Sequence, residues 1–230
     1  MTITKRPLLL VAALMLLLAS CKLDKPDFAT FRDSTTTGGG TTTGQTGTYQ
    51  PVTKGSYWKY ASTINSVTDT TITTITGATA MIDGRNYYEG ASSYLSGTEP
   101  ADTGYLSRDN HVYIDLSLSD GVDVELYYLN DTTAVGHGWT SPINSTGQIM
   151  GVSGQFVGKI MERNITRTVN GKVFNNVIHS QVELQYDYGS GFTTTIVYDN
   201  YVAQNIGIIE IDSNGLGITG VETLLAYSIK

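Results

Sequence analysis

The dipeptide Asn170-Gly171 joins Lys159–Val169 to Lys172–Tyr188. In the second stretch Phe174, Ile178, Val182, Leu184, Tyr186 and Tyr188 share one parity, against His179, Gln181, Glu183, Gln185 and Asp187 on the other. A period of two over such a length marks a strand with one buried side. Asn-Gly supplies the positive φ angles of a tight hairpin. The same pattern recurs along the chain. Trp58, Tyr60 and Ile64 form one stripe. Val112, Ile114, Leu116 and Leu118 form a second, opposite His111, Tyr113, Asp115 and Ser117. Val122, Val124, Leu126 and Tyr128 form a third, and Leu225, Tyr227 and Ile229 close the chain. Asp83-Gly84, Asp120-Gly121 and Asn214-Gly215 punctuate these stripes as further hairpin turns. The expected fold is all-β: an antiparallel, strongly curved sheet of roughly 8–11 strands. Such a sheet must protect its edges, so it closes into a barrel or curls into a half-barrel.

With 14 basic and 21 acidic residues the chain carries a formal charge of −7. That balance excludes a nucleic-acid partner and a polybasic membrane-docking surface. Cys21 is the one cysteine, so no intramolecular disulfide can form and the fold must rest on its core.

The N-terminal region has a different character. Lys5 and Arg6 precede an apolar run from Leu8 to Leu18. This is too short to span a bilayer, which needs ~20 apolar residues, and it has the form of a secretory signal. The run ends in Leu18-Ala19-Ser20-Cys21, which resembles the lipobox of bacterial lipoproteins. That resemblance implies cleavage before Cys21 and acylation of its thiol, with a membrane partner reached through the N-terminal lipid. Lys22 follows the cysteine. By the sorting rule known for Gram-negative lipoproteins this implies the outer membrane, on its periplasmic or its exposed face. Ser34–Gly47 is almost entirely Thr and Gly with nothing apolar to bury, and it reads as a tether. The expected organisation is a signal peptide over 1–20, a lipidated N-terminus and linker over 21–48, and one β-domain over 49–230.

The search for chemistry gives little. His111, His137 and His179 are far apart and lack metal-ligand spacing. Gly151-Val152-Ser153-Gly154 falls short of a nucleophile elbow. Asp115, Asp120, Asp123 and Glu125 crowd one turn, which reads as a solvated hairpin before it reads as a calcium site. No metal, cofactor or enzymatic activity is expected. A two-residue turn at Asn170-Gly171 sets Arg167 opposite Phe174, Ile165 opposite Asn176 and Arg163 opposite Ile178, and directly opposed residues share a face. Either a bulge returns the arginines to the polar side or they snorkel to an edge, or Arg163, Arg167, Phe174 and Ile178 line a cavity that takes an anionic head group and apolar chains.

Three further motifs carry a resemblance. Tyr49-x-Pro51-x-x-x-Gly55-Ser56-x-Trp58-x-Tyr60, Gly171-Lys172-Val173-Phe174-Asn175-Asn176-Val177-Ile178 and Asn200-Tyr201-Val202-Ala203-Gln204-Asn205-Ile206-Gly207-Ile208-Ile209 resemble recurrent strands of secreted β-domains in Bacteroidota lipoproteins. The nearest described shapes are lipocalin-like barrels and the half-barrels of lipoprotein-carrier proteins. The resemblance implies binding of a lipid or other apolar or amphipathic small molecule and supplies no catalytic residue; a monomeric, non-catalytic envelope lipoprotein is expected. The alternative is an accessory interaction module with a filled core.

Overall fold

The computed structural model describes residues 47–97, 101–119 and 122–230, and among them there is no helix. The strands, in chain order, are β1 (Tyr57–Ile64), β2 (Val67–Ile82), β3 (Arg85–Tyr94), β4 (Asp102–Asp109), β5 (Val112–Ser119), β6 (Val122–Asn130), β7 (Gly138–Pro142), β8 (Gln148–Ile149), β9 (Val152–Val169), β10 (Lys172–Asp187), β11 (Phe192–Ala203), β12 (Gly207–Gly215) and β13 (Ile218–Ser228). All join one antiparallel sheet of 13 strands in the order β6-β5-β4-β3-β2-β1-β13-β12-β11-β10-β9-β7, with β8 also on β9. The expected class is therefore observed, with two strands more than the upper expectation.

The sheet curls into a nearly closed barrel with one unsealed seam, between β6 and the β7–β9 edge. Side chains bridge that seam where no ladder runs. Trp139 Nε1 donates to the Tyr127 carbonyl at 3.1 Å, Ser180 Oγ to the Tyr128 carbonyl at 2.6 Å, and Asn144 Nδ2 to the Asp123 carbonyl at 3.3 Å. The edge of β6 is thereby covered without extending the sheet.

Asp83-Gly84 and Asn170-Gly171 turn as expected, both residues of each having positive φ. Asn214-Gly215 does not. Both residues are paired within the β12–β13 hairpin, and the turn is Leu216-Gly217, with φ of 52° and 74°. Gly215 serves a different purpose: a Cβ there would overlap the Thr195 carbonyl oxygen of β11. Asp120-Gly121 lies outside the described residues.

Two hairpins are longer than the barrel wall, and their ends fold back over its outer surface. The register between β2 and β3 shifts between Ile75 and Thr79, around Gly77 with φ 87°. Beyond the shift Ala80, Ile82 and Tyr87 pack on Tyr105, Ile114 and Leu116. The β9–β10 arm bends where Asn164 and Asn176 both adopt left-handed backbone, φ 53° and 52°. Its tip brings Val169 and Phe174 against Trp58 and Leu224. Asn170 Nδ2 and Lys172 Nζ donate to the carbonyls of Leu224 and Leu225, both at 3.1 Å, just past the point where β12 stops pairing with β13.

The first arm overturns one expectation. Ser119 pairs with Val122, so Ile114 and Leu116 share a face with Tyr127 and Glu125, while Asp115 shares the other with Leu126. Leu126 and Val124 pack with Ile64 and Ile218 across the barrel, so that second face is the interior. The apolar stripe of β5 points outward, under the β2–β3 arm, and Asp115 points in.

Candidate functional site

The two ends of the barrel differ. One is plugged by the chain itself. Tyr49, Gln50 and Val52 are buried there, Tyr128 donates its hydroxyl to Gln50 Oε1 at 2.7 Å, and the Asn205 amide donates to the Thr48 carbonyl at 2.7 Å. At the other end the hairpins β1–β2, β3–β4, β8–β9, β10–β11 and β12–β13 expose Val67, Leu95, Met150, Tyr188, Phe192 and Leu216. Met150 is 91% exposed. Met150 and Leu216 hold φ of 51° and 52° in two-residue turns, positions that favour Asn, Asp or Gly. The rim's β1–β2 turn carries Asn65 at such a position, and the plugged end carries Asp83, Asn110, Asn170 and Asn205. The β8–β9 and β12–β13 turns of the rim thus place apolar side chains where both solvation and backbone conformation disfavour them.

Inside, one row of neighbours runs across the sheet: Ser180, Asn200, Ile211, Glu222, Ser62. Glu222 accepts a 2.5 Å hydrogen bond from Ser62 Oγ. Asp115 faces the same space from β5. Burial raises its carboxyl to about 7, and the charges of Glu222 and Asp102 add to the rise. Burial also raises Glu222, against the Ser62 hydrogen bond. Tyr60 is pushed up by burial and then by both carboxylates, which places all three groups within electrostatic reach of one another. Among the described residues no salt bridge reaches Asp115 or Glu222. Asn200 is fully buried, and neither Oδ1 nor Nδ2 has a hydrogen-bond partner among the described residues. Yet Tyr60, Ser62, Asp115, Ile211 and Glu222 are only half-buried although they face inward. Water reaches this part of the wall. A barrel of more than about 8 strands is wider than its own side chains readily fill.

The residues singled out from sequence take separate places. Cys21 lies outside the described residues. Arg163 spans the loop between β6 and β7, donating to the Thr133 carbonyl at 2.7 Å and the Asp131 carbonyl at 2.6 Å. Arg167 is bidentate to Glu210, both bonds 2.8 Å, and its guanidinium lies 3.8 Å from the centre of the Tyr201 ring. That ring stacks on His179 at 4.4 Å, and His179 Nε2 is 2.7 Å from Asp199 Oδ1. Phe174 packs with Trp58 and Leu224, whereas Ile178 packs with Tyr49, Tyr128 and Val202. Neither arginine joins the inner row. Arg167 does face Phe174 as expected, but Val177, not Asn176, opposes Ile165, and the bulges dissolve the pairing of Arg163 with Ile178.

The crowded acids separate as well. Asp115 is inside, while Asp123 and Glu125 share the outer face, so they cannot converge on one cation. Glu125 is buried and accepts from Arg85, Tyr87 and Tyr127, which replaces the expected solvated hairpin. Sequence reasoning missed Glu222 and Asn200, which sit at inward parity in strands read for their apolar members.

No protein-family model matches the chain, and no curated protein matches it. Two solved structures align with it. One is a candidate exported protein with a YmcC-like fold from Bacteroides fragilis, 9% identical, covering 79% of this chain and 99% of its own, with a TM-score of 0.47. The other is a candidate lipoprotein from Parabacteroides distasonis, 10% identical, covering 80% and 100%, with a TM-score of 0.49.

Proposed function

We propose that this chain is a lipid-anchored lipoprotein of the outer membrane whose barrel holds an amphipathic small molecule without altering it chemically. The asymmetry of the two ends carries this reading. The Tyr49–Val52 segment stops one end, while Met150, Tyr188, Phe192 and Leu216 rim the other, which supports an apolar mouth at that second end. Binding pockets combine apolar walls with a few placed polar groups, and the inner row of Asn200, Glu222 and Ser62 supplies them. The lipobox-like Leu18-Ala19-Ser20-Cys21 supports the anchor, and Lys22 after the cysteine supports the outer membrane.

A second reading rests on the same rim: exposed apolar side chains at five hairpins also suit a protein partner. Native mass spectrometry of the protein extracted from its own envelope separates the two. A co-purifying small amphiphile supports the container. A stoichiometric protein partner with an empty barrel overturns it in favour of the interaction module.

A further inference from the structure

We infer that the inner wall is built for a cation: the protonated amine of a single-chain amphiphile, held between the Asp115 and Glu222 carboxylates with Asn200 turned to its polar flank. This rests on the container reading and names the ligand class. Two carboxyl groups face one enclosed space from opposite parts of the barrel, β5 and β13. Two carboxylates that share one partly buried space oppose each other's ionisation unless a cation compensates them. Arg85, Arg163 and Arg167 are all engaged elsewhere, with Glu125, two backbone carbonyls and Glu210. Glu222 has one donor, Ser62, and Asp115 has no hydrogen bond among the described residues.

Asn200 is the independent observation. A buried side-chain amide without a partner is destabilising, and such a group at an inner wall points to a ligand that completes it. It lies two strands from Glu222 in the same row, about 10 Å at ordinary strand spacing, which a hydroxyl-bearing head group bridges. On the rim side of this row Val124 and Leu126 join Ile64 and Ile218 in an apolar cluster whose side chains suit contact with an alkyl chain.

The groups facing Asp115 are Glu222 from β13, Tyr60 from β1, Tyr128 from β6 and Asp102 from β4. None is cationic. With the free Asp115 carboxyl near 7, an incoming ammonium displaces its proton. Affinity then climbs with pH up to roughly neutrality and levels off above it, since an alkylamine stays protonated to about pH 10.

The test uses residues 21–230 with Cys21→Ser, which retain every described residue. Dodecylamine, 1-dodecanol and dodecanoate are titrated calorimetrically below their aggregation concentrations at pH 6 and pH 8. The inference expects the amine to bind roughly tenfold more tightly than either other probe at pH 8, with that advantage shrinking several-fold at pH 6. Asp115→Asn and Glu222→Gln should each remove most of the amine's advantage over dodecanol. Thermal melts of both variants confirm folding, and Asp115→Asn should melt higher than the parent. If the alcohol binds as tightly as the amine, or the preference ignores pH, the head-group assignment falls and the container stands. If none of the three binds, the container reading falls with it.

Discussion

Arg85 of β3 and Glu125 of β6 meet at 3.2 Å although β4 and β5 lie between their strands. The contact exists because the β2–β3 arm folds across the outer face of two neighbours. Tyr87 follows the same path and donates its hydroxyl to Glu125 Oε1 at 3.0 Å. The carboxylate is the pin that fixes the arm.

Removing the pin should therefore strip the arm from its seat. Glu125→Ala leaves the guanidinium, the buried Tyr87 hydroxyl and the half-buried Tyr127 hydroxyl without their acceptor, and a cost of about 2–4 kcal/mol is expected. Chemical denaturation measures the loss. Hydrogen exchange should show Thr79–Tyr88 opening before β9–β13; uniform opening would contradict the arm as a separate element.

Asp115 makes stability depend on pH in a direction unusual for a carboxylate. Its folded value, near 7, lies above the ~3.9 of an unfolded aspartate. The folded state holds the proton more tightly, so stability is greatest below the unfolded value and declines as pH rises through 4 to 7. The decline is at most about 4 kcal/mol by linkage. Asp115→Asn should flatten this slope and raise the melting temperature at pH 8. A parent protein more stable at pH 8 than at pH 5 would refute the assignment.

Leu216→Asn tests whether the rim is kept for function at the expense of its turns. Asn tolerates left-handed backbone and removes an exposed apolar side chain, so the variant should gain about 0.5–1 kcal/mol. Capture of an apolar fluorophore by the purified protein should drop in the same variant. Stabilisation with unchanged capture would make Leu216 an ordinary turn residue.

Phe174→Ala probes the second arm. The side chain is 4% exposed and packs on Trp58, Leu224 and Tyr227, so truncation should cost about 3–4 kcal/mol. Enhanced exchange should concentrate in Ile165–Asn176. Protection of that segment equal to the parent's would show that the tip docks through Asn170 and Lys172 alone.

Much of this architecture was legible in the residues, and the errors have physical causes. Alternation identified β5 and β6 as strands with apolar faces. It did not identify which face of β5 is internal, because Ile114 and Leu116 are covered by a hairpin arm that no local pattern announces. The register beside Asn170-Gly171 was readable as far as Arg167 and Phe174. Beyond it Asn164 and Asn176, two residues that tolerate left-handed backbone, redirect the arm. Glu222 was obscured in the same way. An extra residue between Leu224 and Ala226 shifts the parity of β13, so the stripe of Leu225, Tyr227 and Ile229 does not continue along the inner wall. The rim had a signal that went unread: Met150-Gly151 and Leu216-Gly217 are turn dipeptides with an apolar first member.

The ladder between β1 and β13 joins Tyr57 to Ser228, so the middle of the sheet is made from the two extremes of the folded region. Without β13 the sheet is two meanders, β1–β6 and β7–β12, with no ladder to unite them. Removing β13 takes out the keystone of the wall and not a dispensable edge.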